Sequence, residues 1–302
     1  MTEAARSEAT AAGAPGTGAP GTGAAGNSAA EIGTAEIGTG ETGTAGARLG
    51  ARYAVPSGWQ VATLLERRTE SGSAETLVLD IAEWPGHQAG QHLDLRLTAP
   101  DGYTAERSYS LASAPTPSGS GGVEVTVQRV HDGEVSPYLV DEFPLGAAIE
   151  VRGPIGGWFV WDPVRDAGTP VLLLAGGSGL VPVMSMVRAR RAAGDRTPFR
   201  LIYSVRTPED RLYTDELDAL AARGDGFEVS TVYTRAVSLT ALRGPRRLTS
   251  SELATWGWPP ELEPRVYICG PTGFVEAIAR MLVAQGHDPA NIRTERFGPS
   301  GD

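Results

Sequence analysis

Four short segments carry residue types able to do chemistry on a flat or phosphate-bearing ligand. Arg107, Ser108, Tyr109 and Ser110 stand in a row. A guanidinium can grip a phosphate, a phenol ring can stack, and a hydroxyl can bond a ring heteroatom. Gly133, Glu134, Val135 and Ser136 lead into Pro137. Ser136 suits an N-cap and Pro137 a first helical position, and the free amides of such a helix start favour an anion. Gly176, Gly177, Ser178 and Gly179 lie between an apolar run and an amphipathic stretch opening at Leu180; bare backbone there admits a dinucleotide phosphate. Pro182 stands where the usual dinucleotide fingerprint has its third glycine. Last, Cys269, Gly270 and Pro271 end an apolar strand, the place where open parallel sheets bind ligands. Taken singly, each segment also fits an ordinary turn, strand or capped helix.

These segments need a scaffold, and the periodicity supplies two. Short strands are expected at 59–65, 75–81, 92–97, 123–130 and 148–152, with period-two alternation at 92–97 and 123–130, and one short helix at 137–143. That is the pattern of a small antiparallel barrel. After residue 162 strands alternate with helices: strands at 171–175, 199–204, 228–233, 265–269 and 292–297, helices at 180–193, 214–222, 250–254 and 272–285. Such alternation implies a parallel sheet covered on both faces. In the 180–193 helix, Leu180, Val183, Met184 and Val187 form the apolar stripe, with Arg188, Arg190 and Arg191 off it. The expected architecture is a β barrel over 52–165 and an α/β domain over 168–302. Residues 1–50 hold 12 of the 39 glycines, 14 alanines and no aromatic residue, so this stretch reads as a disordered low-complexity tail.

Composition closes several routes. The 302 residues carry a net charge of −10, and all 26 basic residues are arginine. This argues against a nucleic-acid partner and removes Schiff-base and P-loop lysine chemistry. One cysteine rules out an internal disulfide and an iron–sulfur cluster held by this chain. The four histidines are dispersed without ligand spacing, so no metal is expected. No run approaches a membrane span, and no signal peptide is evident. A cytoplasmic monomer is the expectation. Arg243, Arg246 and Arg247 read as a solvated loop cluster, with docking of an acidic electron carrier the sharper alternative.

In this order and spacing the four segments resemble the ferredoxin–NADP reductase family of flavoproteins over about residues 57–297. The stretch Gln88 through Leu93, and Gly153 through Phe159, strengthen the likeness. The resemblance implies that Arg107, Ser108, Tyr109 and Ser110 hold the flavin, with Ser110 at its hydride-accepting nitrogen. It implies that Gly133, Glu134, Val135 and Ser136 hold the pyrophosphate of FAD, and that Gly176, Gly177, Ser178, Gly179 and Pro182 hold that of NAD(P). Cys269, Gly270 and Pro271 match the motif beside the nicotinamide. Glu295 and Phe297 match the terminal acid and aromatic, although Phe297 replaces a frequent tyrosine and does not end the chain. Thr234 and Arg235, helped by Arg206, resemble the pair that takes a 2′-phosphate, favouring NADPH over NADH. The implied activity is hydride transfer from NAD(P)H to FAD, with Ser110, Cys269 and Glu295 catalytic. Electrons then pass to a small redox protein or an oxygenase component. The alternatives are a partner-free NAD(P)H oxidase reducing oxygen or free flavin, and a non-catalytic flavoprotein adaptor.

Overall fold

The computed structural model describes residues 58–115, 122–237 and 241–298; the expected tail over 1–50 lies outside them. The first half builds six strands: β1 (Gln60–Ser71), β2 (Ala74–Ile81), β3 (His92–Thr98), β4 (Thr104–Ser110), β5 (Val123–Gln128) and β6 (Ala148–Ile155). Their order is β4-β3-β6-β1-β2-β5, each pair antiparallel. The two edges meet where Leu111 bridges Val125 and the Ala112 N–H donates to the Glu124 carbonyl at 2.7 Å. This closes the sheet into the expected barrel. Alternation sends Leu77, Leu79, Leu93, Leu95, Val123, Val125 and Val127 inward, all fully buried.

The second half is a parallel sheet of β7 (Val171–Gly176), β8 (Phe199–Val205), β9 (Phe227–Tyr233), β10 (Arg265–Pro271) and β11 (Ile292–Phe297). Helices α1 (Leu180–Ala192), α2 (Thr214–Ala222), α3 (Ser250–Trp256) and α4 (Thr272–Ala284) cover it. One core packs α1 and α2, the other α3 and α4. The strand order is β11-β10-β7-β8-β9, so the chain reverses its direction of winding between β7 and β10. That reversal opens a crevice at their carboxyl ends. Among the described residues no helix is long and apolar enough to cross a membrane.

One expectation fails for a physical reason, and the arginines read as off the apolar stripe of α1 have an environment the sequence does not show. Ser136 does not cap the following helical segment (Tyr138–Glu142); its Oγ accepts from the Val130 N–H at 3.0 Å and closes the preceding loop instead. Arg188 and Arg190 are not on an open face. Arg190 is buried, donating to the Thr197 and Asp225 carbonyls at 2.7 and 2.6 Å, and Arg188 is bound to carboxylates on two sides. Helix α1 lies between the sheet and the barrel, so nearly all of it is buried.

Candidate active site at the strand ends

The glycine loop after β7 and the loop ending β10 are pressed together. A Cβ at Gly179 would lie 2.2 Å from the Cys269 carbonyl oxygen, and only glycine permits that approach. Gly177 has φ +56°, in the left-handed region. Gly176, Gly177 and Ser178 thus line a cavity of about 850 Å³ together with Pro271 and Phe274, whose ring packs against Gly176. Pro182 is buried in the first turn of α1 and does not line it.

Cys269 and Glu295 face each other in register on β10 and β11. Across from them, Ser110 pairs in register with His92 on the barrel strands β4 and β3. His92 Nδ1 lies 3.9 Å from Glu295 Oε1, so the barrel and the sheet meet at this pair. Burial pushes the Glu295 carboxyl up to about 7, and its Oε2 is buried with no partner among the described residues. Burial, aided by Glu295, pushes the Cys269 thiol well above its usual range, so it stays protonated. Burial likewise lowers His92, against the pull of Asp94. The cluster is therefore built of groups held near neutrality.

On the barrel side the segments around Arg107 and Glu134 meet. Arg107 Nη2 lies 3.4 Å from Glu134 Oε2, and the Tyr103 hydroxyl donates to Glu134 Oε1 at 2.9 Å. Ser108 donates to Asp94 at 2.7 Å, and Arg152 holds the other oxygen of that carboxylate. Tyr109 packs on the barrel core, and burial drives its phenol well above the usual value. Val135 is buried under the tight turn at Gly133.

At the far end of the cavity lie Arg206, Asp210, Thr234 and Arg247, with Phe297 also on its lining. Arg235 is exposed and does not line it; its N–H donates to the Arg206 carbonyl. Sequence reasoning missed His92 and Arg247. The period-two strand and the loop arginines were visible, but their partners come from distant segments.

The residues present fit a flavin and a pyridine dinucleotide. They offer an aromatic on the barrel wall, an exposed arginine beside it, an orphaned carboxylate oxygen at the strand ends, and Cβ-free backbone along a cavity of dinucleotide size.

Comparison with known proteins agrees with this geometry. An oxidoreductase FAD-binding domain matches residues 62–160 and an oxidoreductase NAD-binding domain residues 173–280. The chain is 31% identical to the electron transfer component of 2-halobenzoate 1,2-dioxygenase from Burkholderia cepacia, over 79% of this chain and 67% of that protein. It is 32% identical to the reductase subunit of glycine betaine monooxygenase from Pseudomonas aeruginosa, over 70% of this chain and 56% of that protein. A crystal structure of an Amycolatopsis cytochrome P450 reductase superposes with a TM-score of 0.71 at 26% identity, covering 83% of this chain and 73% of that one. The chain thus spans from little more than half to two thirds of the length of these curated relatives. A barrel that binds FAD, joined to a sheet that binds the nicotinamide dinucleotide, places the chain in the ferredoxin–NADP reductase family.

Proposed function

We propose that this protein is an NADPH-dependent FAD reductase that passes electrons to a separate acceptor, as a cytoplasmic monomer. The observation carrying this reading is the convergence of Ser110 and His92 from the barrel with Cys269 and Glu295 from the sheet. FAD, when bound, supplies the step between a two-electron donor and one-electron acceptors.

The chain's own residues do the rest. Arg107 and the 133–136 segment hold the flavin nucleotide, and Tyr109 gives its ring a wall. Ser110 presents its hydroxyl at the end of β4. Gly176, Gly177, Ser178 and Gly179 hold the pyrophosphate of the nicotinamide nucleotide at the start of α1. Cys269 is a protonated thiol and acts as a neutral spacer against the nicotinamide, not as a nucleophile. Glu295 exchanges a proton near neutral pH; His92 is its neighbour at 3.9 Å, a distance that must tighten for direct transfer.

The 2′-phosphate falls to Arg206 and Arg247. Both line the cavity, and neither side chain has a hydrogen bond or ion pair among the described residues. Asp210 lines the same end, with Oδ2 accepting from the Thr207 hydroxyl at 3.1 Å; an acid there suits an unphosphorylated ribose and is the argument for NADH. For the acceptor, support comes from the relatives named as electron transfer and reductase components of oxygenases. A small redox protein or oxygenase component fits, since this chain's one cysteine lies at the nicotinamide motif.

Anaerobic titration of the purified protein with NADPH and with NADH, followed by flavin absorbance, tests the reading. Stoichiometric bleaching, faster with NADPH, is expected. A colourless protein that binds no added FAD overturns the function; faster bleaching by NADH overturns the cofactor preference.

A further inference from the structure

One helix joins the two halves of the site. Helix α1 opens on the glycine loop that lines the cavity, and two of its later residues, one turn apart, grip the segment leaving the flavin strand. The Ser185 hydroxyl donates to the Ser113 carbonyl at 2.7 Å, and Arg188 Nη1 donates to the Ala112 carbonyl at 2.9 Å. Arg188 also donates to Glu124 of β5 at 2.9 Å and to both oxygens of Glu216 of α2, at 3.0 and 2.5 Å. Its guanidinium lies 5.0 Å from the Tyr213 ring centre.

Segment 111–113 is tied on its barrel side as well. The Leu111 N–H donates to the Gln91 carbonyl at 2.9 Å, and Ser113 Oγ accepts from the Glu124 N–H at 3.2 Å. The indole of Trp84 donates to His87 Nδ1, which leaves His87 Nε2 as the donor to the Ser113 carbonyl at 3.2 Å. A second tie runs beside it. The Tyr213 hydroxyl bonds Thr126 Oγ1, and the Tyr213 N–H donates to Glu70 Oε2 at 3.3 Å. Ala112 follows Ser110 by two residues, and Ser185 lies about 8 Å along the helix from Leu180.

We propose that Ser185 and Arg188 are positioning residues that set the spacing between the dinucleotide loop and the flavin strand, and so the alignment for hydride transfer. Neither lines the cavity that takes the dinucleotide. They act through carbonyls two and three residues beyond Ser110. A rigid link of this kind matters because misplacement by about 1 Å costs up to about 100-fold in rate. The proposal rests on the reductase reading above.

The test compares the holoprotein with R188M, R188K and the double variant S185A/R188M. Expected for R188M and the double variant is full FAD content and KM for NADPH within about threefold. The rate of flavin reduction in single turnover should fall about tenfold or more. The long-wavelength charge-transfer absorbance formed with the nicotinamide should weaken in step, and R188K should recover much of both. In the protein without added nucleotide, amides of 111–113 should lose hydrogen-exchange protection in R188M. Unchanged reduction rate and charge-transfer band per bound flavin, with only a lower Tm, overturns the proposal and leaves the contact a structural one. If R188M does not fold, R188K carries the test on the same two readouts. If the unaltered protein is not reduced by either nucleotide, the reductase reading fails; unchanged exchange at 111–113 in R188M then rejects the link independently.

Discussion

Glu295 is the residue whose chemistry is most exposed to test. Its carboxyl titrates near 7 in the folded chain, against an ordinary value of 4.5, because of burial. Below the ordinary value both folded and unfolded chains hold the proton, and the group costs nothing. As pH rises from there through 7, the unfolded chain has released its proton while the folded chain retains it, so stability falls; above 7 the full penalty remains. Glu295→Gln is therefore expected to raise Tm at pH 8 and leave it nearly unchanged near pH 4.5, read by calorimetry. The same variant should remove the break near pH 7 from the rate profile of flavin reduction. At the other end of the cavity, Arg206→Ala and Arg247→Ala should each lower kcat/KM for NADPH about tenfold and leave NADH unaffected, since a charged hydrogen bond contributes about 1.5 kcal/mol or more. Arg235→Ala should change neither, because Arg235 lies off the lining. Cys269 was singled out in the sequence by its place at a strand end before glycine and proline, and Glu295 by the family resemblance alone. His92 was not, since its meaning depends on a carboxylate from the last strand.

At the scale of elements, a tight constraint at the site is where the loop after β7 meets the end of β10. Gly179→Ala puts a methyl carbon 2.2 Å from the Cys269 carbonyl oxygen and 2.7 Å from the Gly270 nitrogen. Backbone must move, at a cost of about 1–3 kcal/mol. A fall in Tm together with a tenfold or greater rise in KM for NADPH is expected, whereas Gly273→Ala, with open space around its Cβ, should change Tm little. Most element boundaries were readable to within one or two residues, because alternation and the strand–helix rhythm are local signals. What surrounds the arginines of α1 is not a local signal. An arginine off the apolar stripe looks solvated, but Arg188 finds Glu124 and Glu216, and Arg190 finds Asp225. None of these carboxylates is near in sequence. Ser136 misled likewise, since the Val130 amide competes for its hydroxyl.

Across the described residues, the barrel and the sheet share an apolar cluster in which Ala89, Ala112, Phe159 and Trp161 pack with residues of α1 and the parallel sheet, and polar contacts add to it: Tyr267 and Arg293 both donate to the Val160 carbonyl, as Arg188 does to Ala112. Polar groups that lose such partners while buried cost more than the bonds contribute, so the two halves should unfold together. Thermal unfolding followed by flavin release and by far-ultraviolet circular dichroism is expected to give coincident midpoints, and midpoints several degrees apart would show separate domains. The antiparallel barrel and the parallel α/β sheet were legible from the switch in periodicity. What joins them was not, because it brings together residues far apart in sequence.

Phe297 closes the last strand in register with Pro271 and lines the cavity. Whatever polypeptide follows Gly298 therefore sets out from the rim of the site. Cys269 is the one thiol in the chain and is buried and protonated, so it stays silent toward maleimides under native conditions. A single cysteine introduced by Gly273→Cys, on the cavity lining with Phe297 and with open space around its Cβ, would then be the only addressable handle. A polarity-sensitive dye fixed there would brighten or dim as nucleotide enters, turning the start of α4 into an optical gauge of occupancy.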